Sequence, residues 1–229
     1  TSLAIYESCI DNFQNVIYRN GAADFEVKPS EMDEVDYSQF TALITAGTVF
    51  AGQPSRDATF RAFENARAQG IPVIFDIDYR PYSWPSPQVA SEVLSRAGEE
   101  SDMIVGNDEE FGFMAGDIDK GLEKARDLAS KGNRLVIYKM GEEGAITLYN
   151  NEEIKTGIFP TDAIKPVGAG DSFMAGLLSS LASGYNLKNS VIRGSACASI
   201  VVSLPGCAPA MPDEDQLNNF INNSLIKDL

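Results

Sequence analysis

Histidine is absent from the 229 residues. That removes Ser-His-Asp and Cys-His catalysis, imidazole metal sites and imidazole proton shuttling. Any acid–base chemistry falls to a carboxylate, lysine, tyrosine or cysteine. Cysteine is scarce: Cys9, Cys197 and Cys207 are scattered, with no metal-type spacing, and read as reduced, partly buried thiols of a cytoplasmic protein. Basic residues are outnumbered, 18 Lys and Arg against 33 Asp and Glu, for a net charge of −15. An acidic surface repels a phosphate backbone, so nucleic acid is not an expected partner. A nucleotide can still be held by backbone N–H groups and a few local cations. No apolar run approaches the roughly 18 residues of a membrane helix, so no membrane partner is expected. The opening Thr1-Ser2-Leu3-Ala4-Ile5-Tyr6-Glu7 lacks the basic start and long apolar stretch of a signal peptide.

What remains is ordinary globular composition, enough for one domain or one domain with a small appendage. Leu3–Glu7 and Asn15–Tyr18 read as two short strands of an appended β-element. Strands and helices then alternate. Strands are expected at Ala42–Ala46, Val73–Asp76, Met103–Val105, Leu135–Tyr138 and Ala145–Tyr149. Helices are expected at Ser55–Gln69 (capped by Ser55), Ser86–Arg96 and Ile118–Ser130, with another opened by Asn107. The last third reads as three helices, Gly170–Ser183, Leu187–Leu204 and Asp213–Asn222. Such alternation with continuous apolar strands predicts an α/β fold, a parallel sheet covered by helices on both faces. Ligands of such sheets sit beyond the carboxyl ends of the strands. Four polar clusters fall at such ends: Gly47-Thr48, Asp76 to Arg80, Asn107 to Glu110, and Lys139 to Gly144.

The stretch Val167-Gly168-Ala169-Gly170-Asp171-Ser172 carries the most chemistry. Small residues let the backbone approach a ligand closely. The helix that follows supplies unpaired N–H groups and the positive end of its dipole, an anion hole suited to a phosphate in transfer. Asp171, in the first turn, is placed to accept a proton from an attacking hydroxyl. The bland alternative is an ordinary helix start. Phe173, Leu177, Leu178 and Leu181 are expected to bury one face of the helix.

This segment resembles the C-terminal signature of the ribokinase/pfkB carbohydrate kinases, and further motifs follow in that family's order. The resemblance implies a three-layer α/β/α core with a mostly parallel sheet and a partial β lid, the lid strands in residues 1–27 and the nucleotide-binding core in 28–229. It implies ATP and Mg²⁺ as cofactors and a small-molecule sugar or sugar acid as substrate. Asp171 becomes the general base, and Gly168, Ala169 and Gly170 the anion hole, the amides of Ala169, Gly170 and Asp171 meeting the phosphoryl group. Asn107-Asp108-Glu109-Glu110 looks like the family's Asn-x-x-Glu element, with Asn107 and Glu110 organising hydrated magnesium. The same pair can also be a helix N-cap with its capping-box partner. Lys139, Gly141 and Gly144 match the nucleotide-contacting turn, and Ala196, Ser199 and Cys207 the walls of the adenine pocket. For Lys139 a solvated strand end is the plain alternative.

Asp76-Ile77-Asp78-Tyr79-Arg80-Pro81-Tyr82-Ser83-Trp84 resembles an element of kinases acting on keto sugar acids, with Asp78 where the pattern has Asn. It looks closest to the kinases of 5-dehydro-2-deoxygluconate in inositol catabolism, and Tyr18-Arg19 fits the same subgroup. Kinases of 2-keto-3-deoxygluconate, or of fructose, are the neighbouring alternatives. A non-catalytic nucleotide- or sugar-binding fragment is the alternative of another class. Arg19 and Arg80, with Asp76 and Asp78, are the implied substrate contacts, since planar permanent cations suit a carboxylate. Surface ion pairing is the alternative for both arginines. Lys165-Pro166 stands where the family usually has Asp-Thr, whose Asp helps hold a monovalent cation. The lysine ammonium is expected to replace that cation. Relative to the family, the first core strand, an early sugar-contacting Asp and a glycine-rich substrate loop have no counterpart, so a fragment or an absent N-terminal portion is expected. Exposed lid strands would seek pairing, and a homodimer through them is expected. No Gly-x-Gly-x-x-Gly follows an early strand, which argues against a dinucleotide oxidoreductase.

Overall fold

A computed structural model describes residues 2–7, 9–10, 14–132 and 134–227. The chain begins with a two-stranded antiparallel pair, β1 (Leu3–Tyr6) and β2 (Asn15–Tyr18), in the register Leu3 opposite Tyr18. The main sheet has six strands: β3 (Leu43–Ala46), β4 (Val73–Asp76), β5 (Met103–Asn107), β6 (Leu135–Lys139), β7 (Ala145–Tyr149) and β8 (Glu152–Thr156), in that spatial order. Strands β3 to β6 are parallel, as their helical crossovers require. β7 and β8 are joined by Asn150 and Asn151 alone, both at positive φ, the two-residue turn that reverses a twisted strand. The helices are α1 (Pro29–Met32), α2 (Ser55–Ala68), α3 (Pro87–Glu99), α4 (Asp108–Ala115), α5 (Gly121–Ser130), α6 (Ala169–Ala182), α7 (Leu187–Val202) and α8 (Glu214–Asn223). A mostly parallel sheet flanked by helices is the architecture the alternation of elements predicts.

Two compact units divide the chain. Of the described residues, the first contains 2, 19–132, 134–140 and 146–153. Its core gathers the buried faces of β3 to β7 and α2 to α5 around Phe50, Phe63, Phe75, Leu94, Ile104, Phe111 and Leu128. Phe50 meets Phe60, Phe63 and Phe75 at ring distances of 4.9, 5.8 and 5.9 Å, a tilted and edge-on aromatic knot that the Phe60–Phe63 spacing on α2 makes possible. Ser55 does not cap α2. Pro54 holds the cap position, and the Ser55 hydroxyl, one residue into the helix, donates to the Val49 carbonyl at 2.6 Å.

Of the described residues, the second unit contains 3–7, 9–10, 14–18, 141–145 and 154–227. Here α6 and α7 run in close contact because each offers a glycine to the other. A Cβ on Gly176 would lie 2.9 Å from the Arg193 carbonyl oxygen, and one on Gly194 would lie 2.8 Å from that of Phe173. Phe173 and Leu177 are buried as expected, while Leu178 and Leu181 are half-buried. Arg193 staples the helices together. It reaches Ser180 on α6 at 2.9 Å and Glu214 and Asn218 on α8 at 2.6 and 2.7 Å.

Candidate active site

In the second unit, Gly168 begins α6 with φ 88° and ψ −4°. That left-handed geometry is open to glycine at little cost and costs a β-carbon residue about 1–2 kcal/mol. A Cβ there would also press to 3.2–3.3 Å from Val201 and Cys207. The turn therefore needs glycine twice over, for its dihedral and for its space. The Ser172 amide makes the first helical bond to Gly168 at 3.0 Å, and its hydroxyl bonds the same carbonyl at 2.7 Å. Ala169 N–H donates to Pro166 over a long 3.3 Å. The N–H groups of Gly170 and Asp171 make no hydrogen bond among the described residues, which is the ordinary condition of a helix start and leaves two donors for an anion. Asp171 is exposed, so its carboxyl is open to solvent and not sealed in the interior.

Lys165 lies just before this turn and has no exposed surface. Its Nζ donates to the carbonyls of Val167 at 3.0 Å and Val201 at 2.7 Å. The backbone beside it is pinned as well, Ile164 N–H meeting the Val202 carbonyl at 2.8 Å. A buried cation between main-chain oxygens thus ties the glycine turn to the end of α7. Cys207 is half-buried beside Gly168, its thiol 3.7 Å from the Val167 carbonyl and 3.6 Å from the Tyr6 hydroxyl. Ala196 is fully buried in the α7–α8 packing with Phe159 and Leu217, and the Ser199 hydroxyl is bonded to the Phe159 carbonyl at 2.8 Å. Gly141 and Gly144, both at positive φ, turn the chain ahead of β7.

In the first unit, the parallel strands bring Asp76, Asn107 and Lys139 to one edge of the sheet. Ala46 pairs with Asp76, Asp76 with Val105, and Asn107 with Lys139. Asn107 and Glu110 form the reciprocal cap that their spacing predicts: each side-chain oxygen accepts the other's backbone N–H at 2.8 Å. The cap consumes Glu110 Oε2 and leaves Oε1. Glu110 is only 7 % exposed. Burial raises its carboxyl above the usual range, against the opposing pull of Lys139 and of the Asn107 amide.

After β4 the chain turns at Asp78, whose φ of 34° is left-handed, a region Asp tolerates better than most residues. Arg80 then folds back, Nη2 lying 2.6 Å from Asp78 Oδ1 and Nη1 3.1 Å from the Tyr79 carbonyl. Nη1 is also 3.9 Å from Glu110 Oε1. Arg19 is paired with Asp24 and lies over the Phe25 ring, 4.2 Å from its centroid. Trp84, at the end of the same sequence element, is buried in the core. In sequence Arg80 and Glu110 belong to separate motifs. Neighbouring strand ends bring them together.

The residues fit a magnesium ion in one manner only. No group of three or more acidic or sulfur side chains capable of holding a metal occurs among the described residues. The carboxylate oxygen of Glu110 that the cap leaves over, beside Asn107, suits a hydrated hard cation carried by nucleotide phosphates and not a protein cage.

Comparison with known proteins gives the family. The family model described as pfkB family carbohydrate kinase matches residues 3–214. A 5-dehydro-2-deoxygluconokinase of Geobacillus thermodenitrificans is 37% identical over 215 residues, 91% of this chain and 63% of that protein. One of Photobacterium profundum is 38% identical over 227 residues, 96% of this chain and 68% of that protein. The chain thus spans about two thirds of the length of these relatives. Among solved structures, a PfkB protein of Polaromonas superposes with a TM-score of 0.77 at 25% identity, covering 91% of this chain and 69% of that one. A fructokinase of Xylella fastidiosa with bound ATP reaches 0.84 at 18% identity, covering 97% and 73%, a likeness of fold alone. No helix among the described residues is long and apolar enough to cross a membrane. With a glycine turn opening α6 on an exposed aspartate and a family model matched across residues 3–214, this chain belongs to the pfkB family of carbohydrate kinases.

Proposed function

We propose that the protein containing this chain transfers the terminal phosphoryl group of ATP to a hydroxyl of a keto-deoxy sugar acid, 5-dehydro-2-deoxygluconate. The observation that carries this reading is the start of α6: an exposed Asp171 carboxyl beside two amides without partners among the described residues. Asp171 takes the proton of the attacking hydroxyl. The hydroxyl oxygen bonds to the terminal phosphorus as the bond from that phosphorus to the bridging oxygen breaks, and ADP leaves with the electron pair. The Gly170 and Asp171 N–H groups, with the helix dipole behind them, meet the charge on the transferring group. Magnesium, when bound with the nucleotide, neutralises phosphate charge; Glu110 and Asn107 would hold its water shell. Lys165 supplies a fixed positive charge between the Val167 and Val201 carbonyls, in the role a monovalent cation would otherwise fill.

The named relatives support the sugar acid as substrate. Of the two arginines, Arg19 is the one we assign to the substrate carboxylate. It has a single carboxylate partner and an aromatic ring beneath it. Neutral sugars such as fructose are a second reading, favoured by one observation: both arginines are already paired with an aspartate of their own segment. A coupled ADP-release assay on the full-length protein across 5-dehydro-2-deoxygluconate, 2-keto-3-deoxygluconate and fructose separates them. Turnover highest with the first supports the proposal. Turnover highest with fructose replaces it with the second reading, and none with any points to a binding protein.

A further inference from the structure

We infer that Arg80 is a positioning residue for Glu110, held in place by Asp78. The inference rests on the proposed role of Glu110 toward magnesium and concerns what keeps that carboxylate aimed. Both terminal nitrogens of the half-exposed Arg80 face its own protein. Nη2 meets Asp78 at 2.6 Å, Nη1 meets the Tyr79 carbonyl at 3.1 Å, and the same Nη1 faces Glu110 Oε1 at 3.9 Å. The planar guanidinium faces Asp78 and Glu110 together through separate nitrogens, a fork that lysine could not reproduce.

The support beneath it is built into the chain. Tyr79 is buried and its ring lies 4.4 Å from that of Phe113 on α4, the helix whose first turn carries Glu110. The segment after β4 is therefore anchored to α4, and Arg80 spans the short remaining gap. Glu110 has one oxygen committed to the Asn107 amide, so the direction of Oε1 is the only freedom left to it. At 3.9 Å the Arg80 charge draws Oε1 toward it by electrostatics, without a direct hydrogen bond. The left-handed turn at Asp78 is what brings its carboxylate back against the guanidinium two residues later. Outer partners of this kind tune a metal-organising carboxylate without touching substrate.

The test uses Arg80→Gln, Arg80→Lys and Asp78→Asn in the full-length protein. Arg80→Gln should raise the magnesium concentration for half-maximal rate by about tenfold and lower kcat by about 10- to 100-fold. The KM for the sugar should stay within about threefold. Arg80→Lys should fall between wild type and Arg80→Gln, and Asp78→Asn should move in the same direction by less, which serves if Arg80→Gln does not fold. A second readout needs no turnover: urea midpoints of Arg80→Gln, Glu110→Gln and the double variant should be non-additive if the two side chains are coupled. A rise in sugar KM of about tenfold or more with unchanged magnesium dependence would overturn the inference, as would additive midpoints. Unchanged magnesium dependence in Glu110→Gln alone would overturn the metal role of Glu110, while the midpoints still judge the coupling.

Discussion

Replacing Gly168 by alanine puts the geometry of the α6 turn to a quantitative test, with Gly184→Ala as its control. Both glycines are left-handed, at φ 88° and 84°. A methyl group on Gly184 meets nothing within 4 Å, whereas one on Gly168 meets Val201 and Cys207 at 3.2–3.3 Å. Gly184→Ala should therefore cost only the dihedral penalty, about 1–2 kcal/mol. Gly168→Ala adds crowding against a packed wall, about 1 kcal/mol more, for a total near 2–3 kcal/mol. For a chain of this size that is a fall in Tm of about 2–4 °C for each kcal/mol. Thermal unfolding of both variants should rank them accordingly, Gly168→Ala lower. Activity should separate them further. Gly184→Ala leaves the amides of Gly170 and Asp171 where they are, while Gly168→Ala shifts them and should lower kcat at least about tenfold. Equal melting temperatures for the two variants, or a Gly168→Ala protein with wild-type kcat, would refute the reasoning.

Three other outcomes follow from buried groups. Lys165→Met strands two carbonyl oxygens now bonded at 2.7 and 3.0 Å and should cost about 2–4 kcal/mol by urea denaturation; potassium should raise the proposed activity of the full-length protein little, and strong activation would reject the lysine as a substitute cation. Burial pushes the Cys197 thiol up to about 11, so iodoacetamide at pH 8 should leave Cys197 unlabelled in the native protein and label it after unfolding, as mass spectrometry would show. Burial raises the Glu110 carboxyl above the ordinary carboxylate value, so the native state holds that proton more tightly than the unfolded chain. Its contribution to stability is then present below the unfolded value and lost as pH rises through the folded one. Glu110→Gln should therefore gain stability relative to wild type as pH rises above about 4.5, and a difference in urea midpoint that is flat across the acid range would contradict this.

Much of the fold was legible because strands and helices differ in period, and the buried parallel strands carry uninterrupted apolar runs such as Val73-Ile74-Phe75. The Asn107–Glu110 pair was legible because a cap is local, three residues wide. What escaped was set by contacts distant in sequence. The expected single helix from Ile118 to Ser130 is a 3-10 turn followed by α5, with Gly121 at the junction, where a Cβ would lie 2.9 Å from the Asp108 carbonyl oxygen. The last strand, β8, has the polar sequence Glu-Glu-Ile-Lys-Thr and gave no apolar run, as suits the end of a sheet. The approach of Arg80 to Glu110 spans 30 residues and depends on two strand ends lying side by side, which motif spacing does not contain. Lys165 was notable in sequence as a departure from the family pattern, but its complete burial between two carbonyls is a tertiary fact.

The most direct measurement is Asp171→Asn, assayed for turnover and for ATP binding in parallel. Asparagine keeps the size of the side chain and the backbone amides of the turn but cannot take up the hydroxyl proton. Turnover should fall by at least about 100-fold while calorimetric ATP affinity stays within about threefold of wild type. A variant that retains near wild-type turnover would contradict the assignment of Asp171 as the base.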